Sequence, residues 1–191
     1  MRISITQKSN QRNHPTEIPN RRFKEITAKD RNFYFNLVKS AITETIVKNL
    51  FLLEGYKVHK YGMETSIPQM LGCLHSDTSE TATYIKSMPD LIVQTPDYKK
   101  VFFIEVKYRS NGKFSMTDLK KYEDYPFKST YFVILSKKSI KCITYNEMSR
   151  GFSIDEKNDK YHLIDREEFH FTENIYNEYI DLMERLFCNI D

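Results

Sequence analysis

Cysteine is scarce in this sequence, and tryptophan is absent. Cys73, Cys142 and Cys188 are widely spaced and odd in number, and no two form a CxxC pair. This pattern argues against a disulfide framework and predicts reduced, buried thiols. His162 and His170 lie too far apart for a helical ligand pair, so a structural zinc site is not expected either.

Long hydrophobic runs are also missing. The longest apolar stretches, such as Tyr131 to Leu135, are far too short to cross a bilayer, and the N-terminus lacks the apolar region of a signal peptide. We therefore expect a cytoplasmic protein with no membrane partner. A hydrophobic fraction of 40% is enough for a folded core, which argues against wholesale disorder.

Charge is distributed unevenly along the chain. Residues 1–31 and residues 32–150 each carry a net charge of +5, whereas residues 151–191 carry −7. Such asymmetry suits a protein whose front and middle contact a polyanion, although a solvated surface with no partner explains it equally well. Residues 1–30 are polar and lack periodicity, which predicts a basic N-terminal arm followed by a single domain over 31–191.

Hydrophobic periodicity indicates a mixed α/β domain. It predicts two long helices, a third helix over 113–124, and strands that alternate or consist mainly of apolar residues. The order is helix, three strands, helix, then further strands and a C-terminal helix. The predicted long helices span Phe33–Leu53 and Thr172–Phe187, and the strands span Tyr56–Tyr61, Leu91–Gln94, Val101–Lys107, Tyr131–Leu135, Ile140–Tyr145 and Tyr161–Ile164.

The most informative segment is Pro89-Asp90, followed after fourteen intervening residues by Glu105-Val106-Lys107. Side chains alternate across a strand, so Glu105 and Lys107 share one face. If the two strands pair as a hairpin with a turn centred near Asp97 and Tyr98, residue 90 lies opposite residue 105. Two carboxylates then converge beside an ammonium group.

Such a pair of like charges is tolerated best when a divalent cation lies between them. We predict that Asp90 and Glu105 hold Mg²⁺ (or Mn²⁺), with the Val106 carbonyl as a further ligand. Lys107 would orient an attacking water and stabilise charge on a phosphate. The alternative is a turn residue at Asp90 and an ordinary ion pair between Glu105 and Lys107 on a solvated face.

These residues resemble the motif of the PD-(D/E)XK phosphodiesterase superfamily, in its order and on its expected strands. The resemblance implies a restriction-endonuclease-like fold, which is a mixed central sheet flanked by helices with an αβββαβ core. It implies a metal-dependent nuclease. Members often carry a further acidic residue on the first core helix, which suggests Glu44. Glu64 is a second candidate. The alternative interpretation of Glu44 is an exposed helix residue with no role in the site.

Basic residues near the motif are candidates for contacts with nucleic acid, most simply with DNA, although RNA is not excluded. We select Arg109, Lys113 and Lys100, whose contacts with phosphates would give sequence-independent affinity. A homodimer would suit cutting of both strands. The alternative function is a nucleic-acid-binding or protein-interaction module that keeps the nuclease fold without catalysis.

Overall fold

The computed structural model of the protein describes residues 27–74, 76–119 and 125–188. Most of the predicted basic arm therefore lies outside the described residues, as do residues 120–124 of the predicted third helix. The helices are α1 (Ala28–Leu53), α2 (Met63–Ser66), α3 (Leu71–Leu74), α4 (Glu80–Lys86), α5 (Tyr145–Ser149) and α6 (Glu173–Phe187). The strands are β1 (Lys57–Lys60), β2 (Leu91–Gln94), β3 (Val101–Tyr108), β4 (Tyr131–Leu135) and β5 (Ile140–Thr144).

The five strands form one mixed sheet in the order β1-β2-β3-β4-β5. Strands β3 and β4 run parallel, and the other neighbouring pairs are antiparallel. This order, with α1 before the first three strands, matches the central sheet and helices expected for a restriction-endonuclease-like α/β fold, and it confirms the predicted fold class. Strands β4 and β5 form a hairpin, in which Ser136 donates its backbone N–H to the carbonyl of Ser139 at 2.9 Å.

Hydrophobic side chains cover both faces of the sheet. Ile104, Val106 and Val133 point towards the face covered by α1 and α6, while Phe132 and Ile134 point towards a second cluster on the other face. Central strands that are buried on both sides must be apolar at consecutive positions, which explains the uninterrupted run of β4.

Helix α1 begins five residues earlier than predicted. Thr27 and Asp30 form a capping box, in which the Thr27 hydroxyl accepts from the Asp30 N–H and the Asp30 carboxylate accepts from the Thr27 N–H. Reciprocal capping satisfies donors that a helix N-terminus leaves unpaired, so the helix starts at this signal rather than at its first apolar residue. The buried residues of α1 all lie in its second half, from Thr43 onwards.

Two other predicted elements are wrong in detail. Residues 161–164 do not form a strand: His162 makes one isolated bridge to Lys141, and Leu163–Asp165 is a 3-10 turn. Of the third helix, the described residues show a 3-10 turn over Met116–Leu119. The segment between β1 and β2, for which the sequence predicted no element, contains α2, α3, α4 and a 3-10 turn, Pro68–Met70. Short amphipathic segments carry too few turns for periodicity to reveal them.

Candidate metal-dependent active site

The predicted hairpin of β2 and β3 is present with the predicted register. Leu91 lies opposite Ile104, and Gln94 lies opposite Val101. At the turn, Thr95 donates its N–H to the Lys100 carbonyl at 3.0 Å, and Tyr98 adopts a positive φ of 62°. One step beyond the other end of the ladder, the same register aligns Asp90 with Glu105.

Asp90 is held in place by the backbone on both of its sides. Its Oδ2 accepts a hydrogen bond from the Val106 N–H at 2.7 Å. The carboxylate thus takes the place of a backbone carbonyl of β2, which ends before it reaches Val106. Its backbone carbonyl accepts the N–H groups of Tyr61 at 2.9 Å and Gly62 at 3.3 Å. These bonds fix the carboxylate beside the open edge of β3.

Glu105 and Lys107 share one face of β3, as predicted, because the intervening Val106 is buried in the cluster under α1. The Lys107 ammonium forms an ion pair with Oε1 of Glu105. The Glu105 side chain is only 14% exposed, compared with 36% for Lys107. The alternative of an ion pair on a solvated face therefore does not describe Glu105, whose carboxylate lies mostly below the surface.

Burial gives the two carboxylates an unusual proton affinity. It raises the pKa of Glu105 to about 7; Lys107 opposes the increase and Asp90 adds to it. Burial also raises the pKa of Asp90, against the lowering effects of Lys107 and of the Val106 N–H. A single ammonium does not offset the desolvation and mutual repulsion of the pair, so additional positive charge would stabilise the ionised forms.

Both candidate glutamates lie close to Asp90. The pKa of Glu44 is raised, first by burial and then by the charge of Asp90, and its carboxylate is 3.8 Å from the Lys60 ammonium. Glu64 approaches from α2. A Cβ on Gly62 would lie 3.3 Å from Oε2 of Glu64 and 3.9 Å from Oδ1 of Asp90, so glycine permits this close approach.

The two glutamates differ in burial. The Glu44 side chain is 26% exposed, whereas Glu64 is an exposed residue of α2. Lys60 was not singled out from the sequence, although it stands one position before the residue that pairs with Asp90. Its proximity follows from the pairing of β1 with β2, in which Lys60 lies opposite Leu91.

The donor set suits a hard cation that keeps part of its water shell. Among the described residues, no three His, Cys, Asp or Glu side chains form a ready metal cluster. Mg²⁺ commonly uses one or two protein carboxylates and several waters, and Asp90 and Glu105 supply this number. The Val106 carbonyl points to the same side of β3 as its N–H, towards Asp90, because both groups of a strand residue face the same neighbour.

The predicted nucleic-acid contacts do not form one surface around this site. Lys100 lies at the turn end of the hairpin, five residues and therefore about 17 Å along the strand from Glu105. Lys113 lies 3.7 Å from Asp155. Arg109 follows the last residue of β3 and lines a groove together with Lys107; its guanidinium lies 3.6 Å from Asp118 and over the ring of Phe114.

Two cysteines can be described. Cys142 is buried, as expected, whereas Cys188 is exposed, and both are free thiols. The expectation of buried thiols is therefore wrong for Cys188, which follows the last turn of α6.

In the described part of the chain, no helix is both long and apolar enough to span a membrane.

Comparison with solved structures finds similarity to Hjc, a Holliday junction resolvase from Archaeoglobus fulgidus, an archaeal hyperthermophile. The two chains share 12% sequence identity, with a TM-score of 0.38, over 71% of this chain and 97% of the resolvase chain. No protein-family model and no curated protein matches the sequence.

Proposed function

We propose that this chain is a metal-dependent nuclease that hydrolyses phosphodiester bonds in DNA. The observation that supports this most directly is the alignment of Asp90 with Glu105 across the hairpin, beside Lys107. Two mostly buried carboxylates with raised pKa values, close to one ammonium, are the features expected of a functional site rather than of a structural ion pair.

Each residue has a defined task in this proposal. Asp90, Glu105 and the Val106 carbonyl would hold Mg²⁺ (or Mn²⁺), and Glu44 would add a carboxylate from α1. Such an ion would supply a water of lowered pKa and neutralise charge on the phosphate. Glu44 is preferred to Glu64 because it is half-buried, and a buried carboxylate gains more from a nearby cation.

Lys107 orients the attacking water and stabilises the negative charge that develops on the phosphate oxygens. Its ion pair with Glu105 sets the position of the ammonium before substrate binds. The water oxygen forms a bond to phosphorus, and the leaving oxygen departs with the electron pair and takes up a proton. Asp90 keeps its place during this exchange because the Val106 N–H binds it.

The test is incubation of the protein with supercoiled, linear and branched DNA, with and without Mg²⁺ or Mn²⁺. Asp90→Asn and Lys107→Ala should lose cleavage, whereas Lys99→Ala, at the exposed turn of the same hairpin, should retain it. Salt-sensitive binding without cleavage by the wild-type protein would instead identify a nucleic-acid-binding module that keeps the fold. Cleavage that survives both site variants would contradict the assigned residues.

A further inference from the structure

A small groove opens between α1 and the end of β3, and the proposed function does not use it. Its volume is about 300 Å³, which lies at the small end of ligand-binding cavities. Three of its lining residues are basic, and none of these described residues is acidic. The lining residues are Asn36, Lys39, Ser40, Lys107, Tyr108 and Arg109.

The groove adjoins the carboxylates. Lys107 borders the groove and also pairs with Glu105. On α1, Asn36 and Ser40 precede Glu44 at intervals of four residues, so the three side chains follow one another along the same side of the helix. A strand of nucleic acid with one phosphate at the carboxylates could therefore continue along α1 into the groove.

Lys39 is positioned by aromatic packing. Its ammonium lies 5.6 Å from the centre of the Tyr108 ring, and that ring stacks on Phe187 at 4.5 Å. Phe187 is fully buried, so the stack is anchored in the core. A cation over an aromatic face keeps its charge while losing freedom of movement, which lowers the entropy cost of binding an anion.

The other polar groups of the groove complement Lys39. Asn36 and Ser40 are exposed and neutral, and both can donate hydrogen bonds to phosphate oxygens. The guanidinium of Arg109 lies 3.6 Å from Asp118, and the ammonium of Lys107 pairs with Glu105. Among the basic residues that line the groove, Lys39 is the one that lies on α1 with Asn36 and Ser40.

We propose that this groove binds a backbone phosphate adjacent to the phosphodiester that is cleaved, with Lys39 as the main contact and Asn36 and Ser40 as hydrogen-bond donors. The proposal rests on the proposed nuclease function and adds to it a substrate-positioning site on α1. The ligand chemistry is that of a phosphodiester, with no requirement for a particular base.

The experiment measures binding of a labelled DNA duplex at several salt concentrations in EDTA, which prevents cleavage. The variant is Lys39→Gln, and the matched control is Lys57→Gln, which removes the same charge at the end of β1 far from the site. Loss of one phosphate contact should weaken binding about eightfold at 0.1 M salt and reduce the salt slope by about 0.9. The control should bind like the wild-type protein.

Two further variants separate charge from folding. Lys39→Arg should retain most of the affinity, and Ser40→Asp, which places an anion at an exposed position of the groove, should weaken binding more than Lys39→Gln. Thermal unfolding of each variant shows whether the fold is intact. Equal affinity and equal salt slope for Lys39→Gln, Ser40→Asp and the control would overturn the groove, even if the wild-type protein cuts DNA. A wild-type protein that neither binds nor cuts DNA would overturn the nuclease proposal and the groove together.

Discussion

Two clusters in this molecule each bring one basic side chain to two carboxylates, with opposite electrostatic results. In the first, which we call the carboxylate cluster, the charge of Lys107 stabilises the ionised forms of Asp90 and Glu105, yet the pKa values of both acids are raised. In the second, the arginine cluster, Arg166 binds Glu147 at 2.8 Å and Glu168 at 3.2 Å.

In the arginine cluster, hydrogen bonds outweigh the cost of burying Glu147. Burial alone would raise the pKa of Glu147, but hydrogen bonds from Arg166 and from the N–H and hydroxyl of Thr144 lower it overall. Glu168 also accepts a hydrogen bond from the Tyr131 hydroxyl at 3.1 Å. Arginine presents several donors in a fixed fork and can serve two acids at once, which a single ammonium does less well.

The difference supports the proposed division between a structural arginine cluster and a carboxylate cluster that binds a cation. The arginine cluster joins β4, α5 and the 163–168 segment, and Arg166 binds both carboxylates, although its Nε is buried without a hydrogen-bond partner. The carboxylate cluster retains negative charge that nothing in the described chain fully offsets. Such a deficit is costly for folding, and it favours a site that binds a cation.

The largest expected effect is on catalysis. Lys107→Ala should lower the rate of metal-dependent DNA cleavage by about 100- to 1,000-fold, because charge stabilisation in the transition state is lost. Arg166→Met, in the other cluster, should leave the rate per folded molecule within about twofold, since it lies outside the site. Single-turnover cleavage assays, with the folded fraction measured by circular dichroism, make the comparison. Equal losses in the two variants would remove the distinction between the clusters.

The next largest effect is on stability, and here the arginine cluster should be more sensitive to substitution than the carboxylate cluster. Arg166→Met should lower the free energy of unfolding by about 3 kcal/mol, because two carboxylates are left without their partner. Glu105→Gln should not lower it, because the amide has no charge to desolvate. Urea unfolding at neutral pH without divalent ions gives both values. A loss below about 1 kcal/mol for Arg166→Met would show that the arginine cluster does not hold β4, α5 and the 163–168 segment together.

The pH dependence of stability should also distinguish the clusters. The folded-state pKa of Glu105, about 7, lies above its ordinary value of 4.5, so the native state binds more protons between these pH values. The contribution of Glu105 to stability is therefore present below pH 4.5 and is lost as the pH rises through 7. Without divalent ions, the free energy of unfolding of Glu105→Gln should match that of the wild-type protein near pH 4.5 and exceed it by about 3 kcal/mol at pH 8.

Glu147→Gln is the matched control for that measurement. The folded-state pKa of Glu147 is lowered, so its contribution to stability is present above pH 4.5 and is lost as the pH falls below that value. The differences between each variant and the wild-type protein should therefore have opposite signs at neutral pH. If both variants are less stable than the wild-type protein at pH 8, the pKa of Glu105 is not raised in the folded state.

The smallest expected effect is stabilisation by metal. Mg²⁺ at ten times its dissociation constant should raise the free energy of unfolding of the wild-type protein by about 1.4 kcal/mol. Asp90→Asn and Glu105→Gln should show little of this gain, whereas Glu147→Gln should show all of it. Thermal unfolding with and without MgCl₂ measures the shift. A similar shift in all four proteins would indicate nonspecific ion binding.

Local features were accessible from sequence because their partners are close along the chain. A tight turn between two short strands allows few registers, and alternation of side chains then assigns Glu105 and Lys107 to one face. The sequence predicted a strand over Tyr161–Ile164 where the structure has a 3-10 turn at Leu163–Asp165. A segment of four apolar or aromatic residues is compatible with either a strand or a turn of helix. Local propensity also does not decide whether β3 ends at Tyr108 or one residue later.

The sequence by itself determined the mixed α/β class, the β2–β3 hairpin and the alignment of Asp90 with Glu105. Only the tertiary structure brought Glu44, Glu64 and Lys60 to Asp90, and only it placed Lys39 over Tyr108 beside the site. These residues come from α1, α2 and β1, whose positions relative to β3 depend on burial of hydrophobic surface between segments far apart in the chain. Periodicity shows which face of an element is buried, but it does not show which distant element covers that face.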